Sequence, residues 1–128
     1  LNTLFMDYPD AKFILFHGGY PFIFEAGTLA KMFLNVYLDS CWLALISPEA
    51  MNRSLSEWLD LVPANKIMWG GDTINVIEAF AHAKLIRKLV SEVLSDKVAK
   101  GDFKVDDALD IARMLLRENA IEIFRLKV

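Results

Sequence analysis

The sequence predicts an α/β fold with parallel strands, and two observations carry this prediction. Three short runs of continuous apolar residues are typical of strands that are buried on both faces of a sheet. Each run is followed by a segment long enough to cross over to a parallel neighbour. The resulting order of strand, helix, strand, helix, strand, helix and helix is that of one half of an α/β sheet or barrel.

The first strand is predicted at residues 12–16, after the tail of a helix at residues 1–8 that ends at the turn signal Pro9-Asp10. This strand stops at His17, where two following glycines allow the chain to reverse sharply. Apolar residues at helical spacing then predict a helix at residues 22–34.

The second strand is predicted at residues 36–38 and leads into Asp39. The pattern at residues 41–46 fits either an extension of this strand or a buried loop. The third strand, at residues 67–69, is followed by two glycines and Asp72.

The remaining segments predict helices. Ser47 as N-cap and Pro48 at the first helical position indicate a helix start between the second and third strands. A long amphipathic helix is predicted at residues 75–97 and ends before Gly101, and a final helix is predicted at residues 105–126. The apolar positions expected to form the buried face of the long helix are Val76, Phe80, Ala83, Ile86, Val90 and Val93.

Composition and charge exclude several classes of partner. A hydrophobic fraction of 55% suggests elements buried on more than one side, and a formal charge of -3 argues against binding to nucleic acid or to acidic membranes. No apolar run reaches the roughly 20 residues of a membrane span. The single cysteine, Cys41, cannot form an internal disulfide, and no signal peptide is visible, so a reducing, cytoplasmic setting is expected.

The length suits one domain, predicted to span residues 1–128, but is too short for a complete (β/α)8 barrel, which needs roughly 250 residues. The first residue is Leu1 rather than Met, so the chain is expected to begin inside a longer reading frame, after processing, or where order begins. A stable half-barrel fragment, a product of gene truncation and one piece of a split enzyme are the alternatives that the length leaves open.

Polar side chains follow each predicted strand: His17 after the first, Asp39 after the second and Asp72 after the third. Because parallel strands deliver their last residues to one edge, these side chains are expected to face the same side. Imidazole and carboxylate are both common zinc ligands, although a catalytic zinc site takes about three protein ligands. The pattern also fits a purely structural alternative, in which His17 bonds a carbonyl and Asp72 caps the following helix near Thr73 or Ile74.

Four segments carry a family resemblance. The stretches FILFHGGYPF at residues 13–22, NVYLD at 35–39 and KIMWGGD at 66–72 resemble strands six, seven and eight of the amidohydrolase-2 branch of the amidohydrolase superfamily. The stretch ARMLLRENA at 112–120 resembles the helix that closes those barrels. This branch includes aminocarboxymuconate-semialdehyde decarboxylase, related non-oxidative decarboxylases and the amidohydrolase-like domain fused to some glutamine synthetases.

The resemblance implies that the chain is the C-terminal part of a TIM (β/α)8 barrel, about strands six to eight with their helices. It implies that Asp72 binds metal and accepts the proton of the activated water, and that His17 is a metal ligand or a nearby acid/base. Asp39 matches an aspartate without a fixed role. A divalent metal ion, expected to be zinc, is the implied cofactor, and its site is expected to be incomplete because the ligands of strands one, four and five have no counterpart here.

Other residues carry weaker hypotheses. His82 lies mid-helix and is expected on the surface or in helix packing, and Cys41 is expected to be a small buried hydrophobe. The aromatic residues near strand ends could line a substrate pocket or pack beneath the loops; they are Tyr20, Trp42 and Trp69. Arg53 could bind a substrate carboxylate but is more simply interpreted as solvent-exposed.

The predicted function is that of a metal-dependent hydrolase, in which water activated by a metal ion attacks an amide, ester or lactone of a small-molecule substrate. Decarboxylation on the same scaffold is the enzymatic alternative. A third hypothesis is a catalytically silent fragment, and the isolated chain is expected to be inactive. Open strand edges are expected to drive homo-oligomerisation or association with the missing barrel half.

Overall fold

The structure, a computed structural model, describes residues 2–127 and is built around a small parallel sheet. The sheet consists of β1 (Phe13–Leu15), β2 (Val36–Asp39) and β3 (Ile67–Met68). The strands lie in the order β1-β2-β3, with Ile14 opposite Tyr37 and Leu38 opposite Ile67. This arrangement confirms the α/β class and the parallel strands that the sequence predicted, and all three strands end at one edge of the sheet.

Helices connect the strands and cover the sheet. Among residues 2–127 they are α1 (Asn2–Asp7), α2 (Ile23–Met32), α3 (Leu43–Ile46), α4 (Pro48–Leu61), α5 (Val76–Lys100), α6 (Val105–Arg113) and α7 (Asn119–Phe124). The predicted helix tail corresponds to α1, and its first residue, Leu1, lies outside the described residues. None of these helices combines the length and the apolar character that a bilayer crossing requires.

Local capping signals predicted the start of α4 correctly. The Ser47 hydroxyl accepts a hydrogen bond from the amide of Ala50 at 3.1 Å, and Pro48 occupies the first turn. Proline is favoured there because its missing N–H would have no partner within the helix. The cap joins residues that are three positions apart, so the sequence alone contains the signal.

Three other expectations are wrong in detail. Residues 41–46 form neither a strand nor a plain loop, because the short helix α3 begins at Leu43. The predicted helix at 105–126 is divided into α6 and α7 by a π-helical turn, Met114–Glu118. β1 is half-buried rather than buried on both faces.

The buried face of α5 is shorter than predicted. Val76 is 84% exposed and Phe80 is 70% exposed, whereas Ile86, Val90 and Val93 are buried. The helix packs against α4 and α6, and its first two turns carry large apolar side chains that these helices leave uncovered.

The core that supports the sheet is centred on Trp58 of α4, whose side chain is fully buried. Its indole N–H donates to the carbonyl of Ile23 at 3.0 Å. Two glycines allow this ring to approach the backbone, since a Cβ at Gly18 would lie 2.6 Å from the ring and one at Gly27 would lie 2.7 Å from it. Trp58 thus supports both α2 and the turn that follows β1.

The segment that resembles the barrel-closing helix packs directly on β3. Within it, the buried side chain of Asn119 donates to the carbonyls of Ala64 and Ile67, each at 2.7 Å. The π-helical turn also contributes, because the carbonyl of Leu115 accepts from the amide of Trp69 at 3.1 Å. These bonds join the C-terminal helices to the last strand.

We expect Asn119→Leu to lower the free energy of unfolding by about 1–3 kcal/mol, because two carbonyls lose their donor while the side-chain volume is kept. Urea denaturation followed by circular dichroism measures this loss. Glu118→Ala, at an exposed neighbour, is the control and should change stability by less than about 0.5 kcal/mol. Equal effects of the two variants would contradict the assigned role of Asn119.

Candidate metal centre

Strained backbone is concentrated at the edge where the three strands end. His17 follows β1 with φ 58°, Trp42 follows β2 with φ 60°, and Asp72 follows β3 with φ 42°. A residue with a Cβ in this left-handed region costs on the order of 1–3 kcal/mol, and such residues cluster at functional sites. The carboxyl edge of the sheet is therefore where this chain departs most from relaxed local structure.

Three potential ligand side chains meet at this edge. His17, Cys41 and Asp72 each offer one ligand atom, and these atoms all lie within 4.8 Å of one another. The sequence predicted that His17 and Asp72 would face the same side, and the fold brings them together. Cys41 is buried as expected, but its position within this cluster was not predicted, because its spacing from the two other residues carries no motif.

The hydrogen bonding of His17 leaves one ring nitrogen available. Nδ1 lies 3.1 Å from the carbonyl oxygen of Cys41. A carbonyl can only accept, so Nδ1 carries the proton and Nε2 keeps its lone pair in the neutral ring. This arrangement is common for metal-binding histidines, whose second nitrogen donates to a carbonyl or a carboxylate. The structural alternative for His17 and a ligand role are thus compatible.

The structural alternative for Asp72 is wrong. Asn75 caps α5, since its side-chain oxygen accepts from the amide of Glu78 at 2.9 Å, and the helix begins at Val76 rather than near Thr73 or Ile74. Asp72 lies before this cap, exposed, at the end of the short loop that follows β3. Its carboxylate is therefore not used in helix capping.

Asp39 has a structural position beside the cluster. Its Oδ1 accepts from the amide of Cys41 at 2.8 Å and from the amide of Gly70 at 2.9 Å, so one oxygen joins the ends of β2 and β3. Burial raises the pKa of this carboxyl, and the two backbone N–H groups partly oppose that shift. A Cβ at position 70 would lie 3.0 Å from Oδ2, which explains why glycine follows β3 there.

The thiol of Cys41 is shielded from solvent. Burial raises its pKa to about 12, and the neighbouring carboxyl groups of Asp39 and Asp72 add to the shift. The sulfur is therefore protonated at neutral pH when no cation is bound, and it is a weaker candidate ligand than the two side chains predicted from the sequence.

Two residues support the cluster without offering a ligand atom to it. The Trp42 ring lies edge-on to the His17 ring, with 6.3 Å between centroids, and its Nε1 donates to the carbonyl of Asp72 at 2.5 Å. His82 is buried in helix packing rather than on the surface, and its Nδ1 lies 2.9 Å from the carbonyl of Gly71. Neither contact has a signal in the sequence, since both partners lie on separate elements.

The remaining sequence candidates are outside this group. Tyr20 is 46% exposed, Trp69 is half-buried against the core, and Arg53 is exposed on α4 as its simpler interpretation predicted. The cluster supplies an imidazole nitrogen from His17 and a carboxylate oxygen from Asp72, with the protonated thiol of Cys41 beside them, and imidazole and carboxylate are both common ligands of a divalent ion such as zinc. A divalent cation therefore fits the residues present.

Parallel strands with imidazole and carboxylate donors at their carboxyl edge define an α/β protein with a candidate metal centre. The chain belongs to the amidohydrolase family, because the model of that family matches residues 1–126. The family resemblance noted in the sequence is thereby confirmed.

Two further comparisons agree with this membership. The chain is 33% identical over 128 residues to protein fluG of Emericella nidulans, a match covering 98% of the chain and 15% of that protein. It is also similar to the crystal structure of a proposed metal-dependent hydrolase from Lactobacillus casei ATCC 334, with a TM-score of 0.74 and 23% identity over 98% of the chain. The chain spans 35% of that second protein, and at this identity the likeness shows the fold.

Proposed function

We propose that this chain forms strands six to eight of a metal-dependent (β/α)8 barrel hydrolase that acts on an amide, ester or lactone of a small molecule. The observation that carries the proposal is the meeting of His17 and Asp72 at the carboxyl edge of a parallel sheet, with ligand atoms within 4.8 Å. Active sites of such barrels lie at this edge. The coverage of 15% and 35% of the two relatives supports assigning the other strands to a further part of the protein.

His17 and Asp72 would hold the cation, which we propose to be zinc in a reducing, cytoplasmic setting. A bound divalent ion supplies Lewis acidity and lowers the pKa of water at the site. The Asp72 carboxylate is exposed to the edge of the sheet, where it can accept the proton that water loses on attacking the substrate carbonyl. The hydrogen bond from Nδ1 to the carbonyl of Cys41 would fix the orientation of the His17 ring, and we propose that Nε2 is the atom that binds the cation.

Cys41 is proposed to remain outside the ligand set. Its side chain is fully buried, whereas His17 is half-buried and Asp72 is exposed. A cation that enters from solvent would therefore reach the two predicted ligands before it reaches the thiol. A cysteine ligand would also have to lose its proton on binding, which opposes metal uptake at neutral pH.

Cobalt titration of the chain tests this ligand assignment. We expect His17→Ala and Asp72→Asn each to weaken Co²⁺ binding by roughly tenfold or more, whereas Cys41→Ser should bind within about twofold of the wild type. Isothermal calorimetry measures the affinity, and the absence of a sulfur-to-cobalt charge-transfer band checks the thiol independently. A strong band, or an equal loss in the serine variant, would make Cys41 a ligand and contradict the assignment.

Product analysis distinguishes hydrolysis from decarboxylation. An active protein that contains this chain is incubated in ¹⁸O-labelled water with ester, lactone and aromatic acid substrates. Incorporation of one ¹⁸O atom into a carboxylate product is the expected result. Release of carbon dioxide without consumption of water would overturn the hydrolase assignment.

A further inference from the structure

The loop that follows β3 is anchored at each of its three residues. This site loop, residues 70–72, ends on the candidate ligand Asp72. The Gly70 amide donates to Asp39 Oδ1 at 2.9 Å, and the Asp72 carbonyl accepts from Trp42 Nε1 at 2.5 Å. Between them, the Gly71 carbonyl lies 2.9 Å from Nδ1 of His82.

The anchoring side chains come from three different elements. Asp39 ends β2, Trp42 precedes α3, and His82 lies in the second turn of α5. We propose that these three residues form a clamp, and that the clamp positions the Asp72 carboxylate for cation binding. The inference rests on the proposed function in assigning Asp72 as a ligand.

Backbone strain supports a positioning role. Asp72 is held at φ 42°, a left-handed conformation that a non-glycine residue keeps only where its surroundings determine it. A side chain binds the carbonyl of Asp72 and one backbone atom of each of the two preceding residues, so the clamp supplies that determination. Trp42 also packs edge-on against His17, so one clamp residue contacts both candidate ligands.

The burial of His82 points the same way. Its side chain is 4% exposed, and among the described residues Nε2 has no hydrogen-bond partner. A buried polar atom without a partner destabilises the fold, so an apolar residue would pack here at lower cost. The bond from Nδ1 to Gly71 is the only interaction in the described part of the chain that uses the imidazole as a polar group.

A pair of variants of equal shape isolates this bond. In His82→Asn the side-chain amide can place an N–H where Nδ1 was, whereas His82→Leu has nearly the same shape and no donor. Trp42→Phe keeps the aromatic edge beside His17 and removes the donor to Asp72. The three variants are compared with the wild type for thermal midpoint, for ¹H-¹⁵N heteronuclear NOE of residues 70–73 and for Co²⁺ affinity.

The leucine variant is expected to lose NOE intensity at Asp72 and to bind Co²⁺ roughly tenfold more weakly than the asparagine variant, at a similar thermal midpoint. Trp42→Phe is expected to weaken Co²⁺ binding in the same way. Equal loop order and equal affinity in the asparagine and leucine variants would overturn the clamp. A third outcome separates the two proposals. If the wild-type chain binds no Co²⁺ and His82→Leu still loses loop order, the proposed metal site is overturned, whereas the role of the clamp in ordering the loop stands.

Discussion

Asp72→Asn is expected to lower the hydrolytic rate constant of an active protein containing this chain by roughly 10²- to 10⁴-fold, the usual contribution of a general base. The substitution keeps the shape of the side chain and its backbone bond to Trp42, and it removes the negative charge that binds the cation and accepts the proton. Initial rates with p-nitrophenyl acetate and dihydrocoumarin, at saturating zinc, measure the effect.

The matched control is Asp10→Asn, which makes the same chemical change at an exposed turn before β1. It should leave the rate within about twofold of the wild type, since surface substitutions away from a site are nearly neutral. Added zinc should not restore the rate constant of the Asp72 variant, because a higher zinc concentration compensates for weaker cation binding but does not replace the missing proton acceptor. Full recovery at high zinc would limit Asp72 to cation binding and exclude it as the base.

Trp58→Ala is expected to lower the free energy of unfolding by about 3–5 kcal/mol, the usual cost of removing a large buried aromatic side chain. This ring is fully buried and contacts the backbone at two glycines, so its loss leaves a cavity that rigid helices cannot fill. Such a loss is a large part of the roughly 5–15 kcal/mol that stabilises a typical domain. Urea denaturation of the chain measures it.

Leu34→Ala provides the comparison, because Leu34 is 91% exposed and its removal should change stability by less than about 0.5 kcal/mol. Trp58→Phe keeps most of the buried volume and should lose less than the alanine variant, which keeps the test informative if the alanine variant does not fold. A loss in Trp58→Ala no greater than that in Leu34→Ala would show that the ring does not support the core.

Trp58 also connects the stability of the core to the position of a candidate metal ligand. Gly18, which the ring contacts, directly follows His17, so a cavity at position 58 removes support from the turn that holds the imidazole. The stability loss should therefore be accompanied by a changed chemical shift of the His17 ring. Asp72 follows β3, which is separated from β1 by β2 in the sheet. The loop that carries Asp72 should therefore change less than the His17 turn when Trp58 is removed.

Local patterns were sufficient for much of the fold. The apolar runs predicted three parallel strands, and Ser47 with Pro48 predicted the start of α4. These signals succeed because their physical cause lies within a few residues, either in the period of the apolar side chains or in a capping hydrogen bond. The same period overestimated the buried face of α5, since Val76 and Phe80 fit the pattern but lie beyond the helices that pack there.

The sequence by itself determined the α/β class and the family resemblance. It also identified His17 and Asp72 as candidate ligands, because each of these two residues follows a recognisable strand. Only the tertiary structure decided that Cys41 joins the cluster and that Trp42 and His82 hold the loop carrying Asp72. The physical reason is distance along the chain: Trp42 is 30 residues from its partner and belongs to another element. Contacts of this kind arise from how α3, α5 and the sheet pack, and no spacing in the sequence encodes them.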